Sequence, residues 1–315
     1  MNELIENKIY RLLRWTGIVL VVCTYLLIVL GSTVRVTDSG TGCPGWPLCY
    51  NQIGPVLDHP HAMIEQSHRY LASIVTVLVF VCWYFAFKLR KLEHTKSMFL
   101  FANLNVLMII VQVVLGAITV VTNNAPITVA LHLIVGLSFL ALCVMFLLSV
   151  LYGNYKSNVS KKLDVVGWLL IVSFEILLIS GSIVVDGGAA KSCPSWPFCT
   201  TRAPLKYVSL QYIHRSVVLA VGLFMVMFFL YAFNQLESKP WFKKFALISV
   251  GCFLLTALGG ALSAITKANE GFQDIHLGLA TLTWLSVVAT VVRTHFDSSL
   301  EEPHVIESND MSRIS

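Results

Sequence analysis

ITVALHLIVGLSFLALCVMFLLSVL, residues 127–151, runs 25 positions without a charged side chain and carries a single histidine, His132, near its start. About 20 helical residues cross a hydrocarbon core of about 30 Å, so this stretch is long enough to span a bilayer. Backbone groups in lipid find partners only within their own segment, which makes the stretch a helix and not a strand. Seven further runs have the same character, at 12–32, 66–87, 98–121, 163–185, 209–233, 245–266 and 273–293. The composition agrees: 12% of the 315 residues are charged and 56% hydrophobic, with a mean hydropathy of +0.75. Soluble domains carry about 25% charged residues. The connections are too short for a separate soluble domain. The chain therefore reads as an all-α integral membrane protein of eight spans.

Lys8, Arg11 and Arg14 precede the first run. The run is too long for a signal-peptide core and no small-residue cleavage site follows it, so it reads as a retained span. The basic residues set the orientation. Fifteen of the 22 lysines and arginines, from Lys8 and Arg11 through Lys156 to Arg313, fall at the termini and in alternate loops. The other seven, among them Arg35, Lys191 and Lys267, fall on the opposite side. Basic residues accumulate on the cytoplasmic side, so both termini are expected there. The net charge of +5 is spread over loops without a basic patch, which gives no reason to expect a nucleic-acid partner.

The chain repeats itself. Gly31-Ser32 followed by CPGWPLC (43–49) is answered by Gly181-Ser182 followed by CPSWPFC (193–199). Ser67-His68-Arg69 is answered by Ile213-His214-Arg215, Leu115-Gly116-Ala117 by Leu258-Gly259-Gly260, and Leu131-His132-Leu133 by Ile275-His276-Leu277. The separations run from 143 to 150 residues in unbroken order. Two four-helix halves follow, 1–155 and 156–315. An even number of spans gives both the same orientation, so a pseudo-twofold along the membrane normal is expected between them.

Of the eight cysteines, Cys23, Cys82, Cys143 and Cys252 lie in apolar runs and read as small buried hydrophobes. Cys43, Cys49, Cys193 and Cys199 lie in the two repeated loops, on the side where disulfides persist, and read as the pairs Cys43–Cys49 and Cys193–Cys199. A zinc site fits the spacing poorly. A disulfide that exchanges electrons with a donor stays open for an accessible external loop.

His59, His61, His94, His295 and His304 fall in loops or the tail and read as solvated. His68, His132, His214 and His276 fall in the second, fourth, sixth and eighth spans, at similar depth near the external end. Imidazole inside a membrane is costly and calls for a functional partner. Two per half, on neighbouring helices at one depth, is the arrangement that ligates a haem iron from both sides, pairing His68 with His132 and His214 with His276. A copper or zinc ion would call for further ligands, and none repeats in both halves. Arg69 and Arg215 follow their histidines, where they would meet haem propionates or snorkel to the interface.

The halves differ at one carboxylate. Glu65 precedes His68 by three residues on the same helical face, whereas Gln211 precedes His214. Beside a haem edge a carboxylate can take a proton or stabilise positive charge; it could also pair with Arg69 at i+4. Arg35 against Val185 is a second difference, without an assignment. Glu175 is an acid deep in the fifth run, read as hydrogen-bonded or on a proton route. Gln112 reads as a contact between helices.

These motifs together, Glu65-x-x-His68-Arg69, Ala130-Leu131-His132, the two CPxWPxC loops, and His214 with His276, resemble the haem A synthase family, in the bacterial type with a cysteine pair in each half. The resemblance covers all eight runs and omits about 1–10 and 295–315. It implies oxidation of the C8 methyl group of haem O to the formyl group of haem A. It further implies that His68 and His132 hold haem O with Glu65 as the catalytic carboxylate, and that His214 and His276 hold a cofactor haem b. Cys43–Cys49 would be active in electron passage and Cys193–Cys199 structural. A haem O synthase as partner, an external or quinone electron acceptor and a bacterial cell membrane are implied too. A di-haem electron-transfer cytochrome is the alternative; it accounts for four histidines but not for Glu65 in one half only. A parallel-repeat transporter would require broken helices near the midplane.

Overall fold

The computed structural model describes residues 3–155, 159–200, 202–236 and 239–296. Lys156, His304 and Arg313, used in the readings above, lie outside the described residues. Among the described residues are eight α-helices and no strand: α1 (Glu3–Val36), α2 (Pro60–Leu89), α3 (Lys96–Val121), α4 (Pro126–Tyr152), α5 (Lys161–Asp186), α6 (Leu205–Gln235), α7 (Pro240–Ile265) and α8 (Glu270–Arg293). All eight are long and apolar enough to cross a membrane. Even α8, at 24 residues, extends about 36 Å at 1.5 Å per residue. The chain is a multi-pass membrane protein.

Local chemistry sets the helix ends. Proline opens α2, α4 and α7, where its missing N–H costs nothing. Ser160 caps α5 by accepting from Leu163 N–H at 3.3 Å. α3 and α7 end alike, on the left-handed residues Asn123-Asn124 and Lys267-Ala268. Asn124 N–H reaches back to Thr119 O at 2.8 Å and Ala268 N–H to Ser263 O at 2.7 Å, satisfying carbonyls that the helix leaves open.

Each half closes on itself: α1 packs on α2 and α4, and α3 on α2 and α4; α5 packs on α6 and α8, and α7 on α6 and α8. Across the halves α1 packs on α8, α5 on α4, and α4 on α8. Each reciprocal contact carries one midspan hydrogen bond. Tyr25 of α1 donates its hydroxyl to Gly278 O of α8 at 3.2 Å. Ser138 of α4 donates to Glu175 Oε1 of α5 at 3.2 Å. Tyr25 and Glu175 are 150 residues apart, the separation of Gly31 and Gly181. Glu175 thus has a place, as a tie between the halves. Arg35 is another tie, ion-paired with Asp186 and donating to Ser182 O at 3.1 Å.

One expectation fails at the end of the bundle opposite the disulfides. His295, placed by sequence among the solvated histidines, is 1% exposed. Its Nε2 lies 2.7 Å from Asp164 Oδ1 and its ring stacks on Tyr155 at 5.0 Å. Position beyond the last apolar run is a poor guide here, because the connection between the halves folds back over it. Tyr155 N–H donates to Ser97 Oγ at 2.8 Å, fastening that connection to α3. Burial, with the Asp164 carboxylate adding to it, pushes the Tyr155 phenol up.

Candidate functional site

His68, His132, His214 and His276 lie six to nine residues into α2, α4, α6 and α8, or about 9 to 14 Å below each helix start at 1.5 Å per residue. Each imidazole lies against a glycine of a neighbouring helix. A methyl group at Gly31 would sit 3.1 Å from His68 Cε1, and one at Gly181 would sit 3.2 Å from His214 Cε1. The corresponding separations are 3.4 Å from Gly116 to His132 Cε1 and 2.9 Å from Gly260 to His276 Cε1. At Gly31, Gly181 and Gly260 a side chain would crowd the ring, whereas at Gly116 a methyl group would make an ordinary contact. The last pair also corrects the repeat register by one residue: Gly260, not Gly259, occupies the place of Gly116. His68 and His132 lie within electrostatic range of each other, as do His214 and His276.

The second ring nitrogens separate the halves. His276 Nδ1 lies 3.0 Å from Thr256 O, which only accepts, so Nδ1 carries the proton. His214 Nδ1 lies 2.8 Å from Ser180 Oγ. That hydroxyl spends its one proton on Leu177 O at 2.6 Å, so again the ring nitrogen must donate. Both rings are therefore fixed with Nε2 as a bare lone pair, the form that ligates a metal. His68 Nδ1 and His132 Nδ1 are buried without a partner. Gln112 Nε2 donates to His132 O at 3.0 Å, which joins α3 to α4 but leaves the ring free.

Glu65 is 4% exposed and ties α2 to the first cysteine loop. Its Oε2 accepts from Cys43 N–H at 2.9 Å and its Oε1 is ion-paired with Arg69. Gln211 faces the matching loop with the opposite polarity, donating to Ala189 O at 2.9 Å. Arg69 also donates to Gly45 O at 3.0 Å and Pro47 O at 3.1 Å, and Arg215 to Pro197 O at 2.7 Å. Both arginines hold their loops, and a propionate contact would require them to exchange those carbonyls. The disulfides are Cys43–Cys49 and Cys193–Cys199, with Cα separations of 4.8 and 5.2 Å. Ser180 and Thr256 escaped the sequence reading; Ser180 adjoins the Gly181 anchor, which served only to set the register.

Among the described residues no three His, Cys, Asp or Glu side chains converge as a metal-binding set. A pair of imidazoles fits an iron whose equatorial positions belong to a porphyrin. The lone pairs at His214 and His276 Nε2 and the glycine cradles fit that group. Fold and site together define a multi-pass membrane protein with two histidines at matched depth in each half. The family model for "Cytochrome oxidase assembly protein" (COX15-CtaA) matches residues 14–288, and the chain belongs to that family. Similar relatives include a "Heme A synthase" of Lysinibacillus sphaericus, 25% identical over 92% of this chain and 99% of that protein. "Heme A synthase" proteins of Geobacillus thermodenitrificans, 26% identical over 90% of each chain, and of Exiguobacterium sibiricum, 29% identical over 81% and 88%, are similar too.

Proposed function

We propose that the chain is a haem A synthase, oxidising the C8 methyl group of haem O to the formyl group of haem A. The observation that carries the reading is the acid found beside the histidine in one half alone, Glu65 before His68 against Gln211 before His214. The names of the similar relatives support the same reading over a di-haem electron-transfer cytochrome.

In this reading residues 1–155 form the substrate half, with His68 and His132 as ligands of haem O. Residues 156–315 form the cofactor half, with His214 and His276 as ligands of haem b. Haem b supplies a redox-active iron when bound. Glu65 stands one turn before His68, so its carboxylate shares the substrate side of α2. Each of its oxygens accepts one hydrogen bond, from Cys43 N–H or Arg69, and keeps a further lone pair. Glu65 can therefore take a proton as the methyl group is oxidised, or stabilise positive charge developing there. Arg69 fixes the carboxylate in position, and the loop carbonyls fix Arg69.

The reciprocal packing of α1 on α8 and α5 on α4 supports a pseudo-twofold along the membrane normal. The bias of basic residues supports cytoplasmic termini in a bacterial cell membrane, with both disulfide loops outside. A haem O synthase would supply so hydrophobic a substrate, and an external or quinone acceptor would take the electrons.

The test is to express the chain with a haem O synthase in a host that makes haem B but no haem A, then chromatograph the extracted haems. Haem A is expected. Glu65→Gln should keep haem bound and lower haem A output by about 100-fold or more. Haem O accumulating without haem A would contradict the activity, and full output from Glu65→Gln would contradict the carboxylate's role.

A further inference from the structure

The two histidines that follow the glycine–serine anchors are held alike on one side and differently on the other. Gly31 approaches His68 and Gly181 approaches His214 at nearly equal distance, 3.1 and 3.2 Å from Cε1 and 3.6 and 3.7 Å from Nδ1. The repeat gives the residue before each glycine the same place in its half. It is Ser180 in one half and Leu30 in the other. Ser180 Oγ bridges Leu177 O at 2.6 Å and His214 Nδ1 at 2.8 Å. The counterpart of Leu177 is Leu27, whose backbone interacts with the His68 ring, although His68 Nδ1 makes no hydrogen bond of ordinary geometry. With leucine at position 30 there is no hydroxyl to relay between carbonyl and ring, and His68 Nδ1 is left buried without a hydrogen bond of ordinary geometry. His132 and His276 repeat the contrast, the first without an Nδ1 partner and the second donating to Thr256 O at 3.0 Å.

A hydrogen bond to the distal nitrogen fixes the ring's tautomer and orientation and raises its basicity as a ligand; losing such a partner typically costs about 10- to 100-fold in metal affinity. We propose that Ser180 is a positioning residue for the resident haem, and that its replacement by Leu30 fits the N-terminal pair to a haem that must enter and leave. This rests on the assignment of substrate and cofactor halves above. A synthase needs one site that retains its haem and one that releases its product. The difference between Ser180 and Leu30 provides that division without changing any iron ligand.

The test measures haem loss from the purified full-length protein in detergent to excess apomyoglobin, with electron paramagnetic resonance of the low-spin iron as a second readout. Ser180→Ala should speed the loss of haem B about 10-fold and shift its low-spin signal, and Ser180→Thr, which keeps the hydroxyl, should restore both. Leu30→Ser should slow the loss of haem O and haem A about 10-fold while leaving haem B unchanged. Haem B loss and signal unaltered in Ser180→Ala would overturn the positioning role. Unaltered haem O loss in folded Leu30→Ser would overturn the exchange role, and it keeps the proposal falsifiable if Ser180→Ala does not fold. If instead the unmodified protein carries no haem O or haem A, the assignment of the halves fails, a result distinct from either.

Discussion

At each of four positions an imidazole lies against a glycine, and the distances grade the tolerance of each contact. An added methyl at Gly260 would lie 2.9 Å from His276 Cε1, closer than two carbons can settle, so the ring must move. At Gly116 the same methyl would make an ordinary contact of 3.4 Å with His132. Gly260→Ala is therefore expected to weaken or shift the low-spin spectrum of the C-terminal pair, with Gly116→Ala leaving its own pair unchanged. Absorption spectra of the two variants check this, and equal effects would contradict it. The histidines and Glu65 were legible in the sequence because the repeat supplies its own comparison: a shared histidine and an unshared acid stand out without any structure. Ser180 and His295 were not. The role of Ser180 depends on which carbonyl takes its proton, and the burial of His295 on a connection folding back from the other half.

Helices as elements were fully legible, since length and apolarity decide them in lipid. Their ends were less so: α1 runs from Glu3, well ahead of the apolar run that begins at 12. Helical hydrogen bonding continues past the hydrocarbon edge wherever polar side chains tolerate it. The loops between elements carry the asymmetry. The cysteine backbone N–H itself holds Glu65, at Cys43, whereas Gln211 donates to Ala189 O, four residues ahead of Cys193 in the matching loop. Replacing Cys43 and Cys49 by serine should lower haem A output more than replacing Cys193 and Cys199. Equal losses in extracted haem would contradict the coupling between loop and carboxylate. At the other end of the bundle the Asp164–His295 contact fastens α5 to the end of α8. Its loss in Asp164→Ala should cost about 1–3 kcal/mol, the range for leaving a buried polar group, here the His295 ring nitrogen, without its partner. A lowered Tm in detergent with unaltered haem spectra is the expected result, and an unchanged Tm would contradict it.

On the scale of the whole molecule, two similar four-helix units meet through α1, α4, α5 and α8. Tyr25 and Glu175 make the matched ties at midspan, each joining its half to the other. That arrangement keeps two imidazole pairs in one membrane protein while letting each acquire its own surroundings: an acid at Glu65 on one side, hydrogen-bonded ring nitrogens on the other. The repeat made the division into halves readable from sequence. The unequal support of the rings was not readable, because two of the decisive partners are the backbone carbonyls of Thr256 and Leu177. On the function proposed above, each half holds a different haem. The most direct test is the haem content of purified His68→Ala and His276→Ala variants, extracted and separated by chromatography and mass. His68→Ala is expected to lose haem O and haem A but retain haem B, and His276→Ala to lose haem B first. Loss of the same haem from both variants would contradict it.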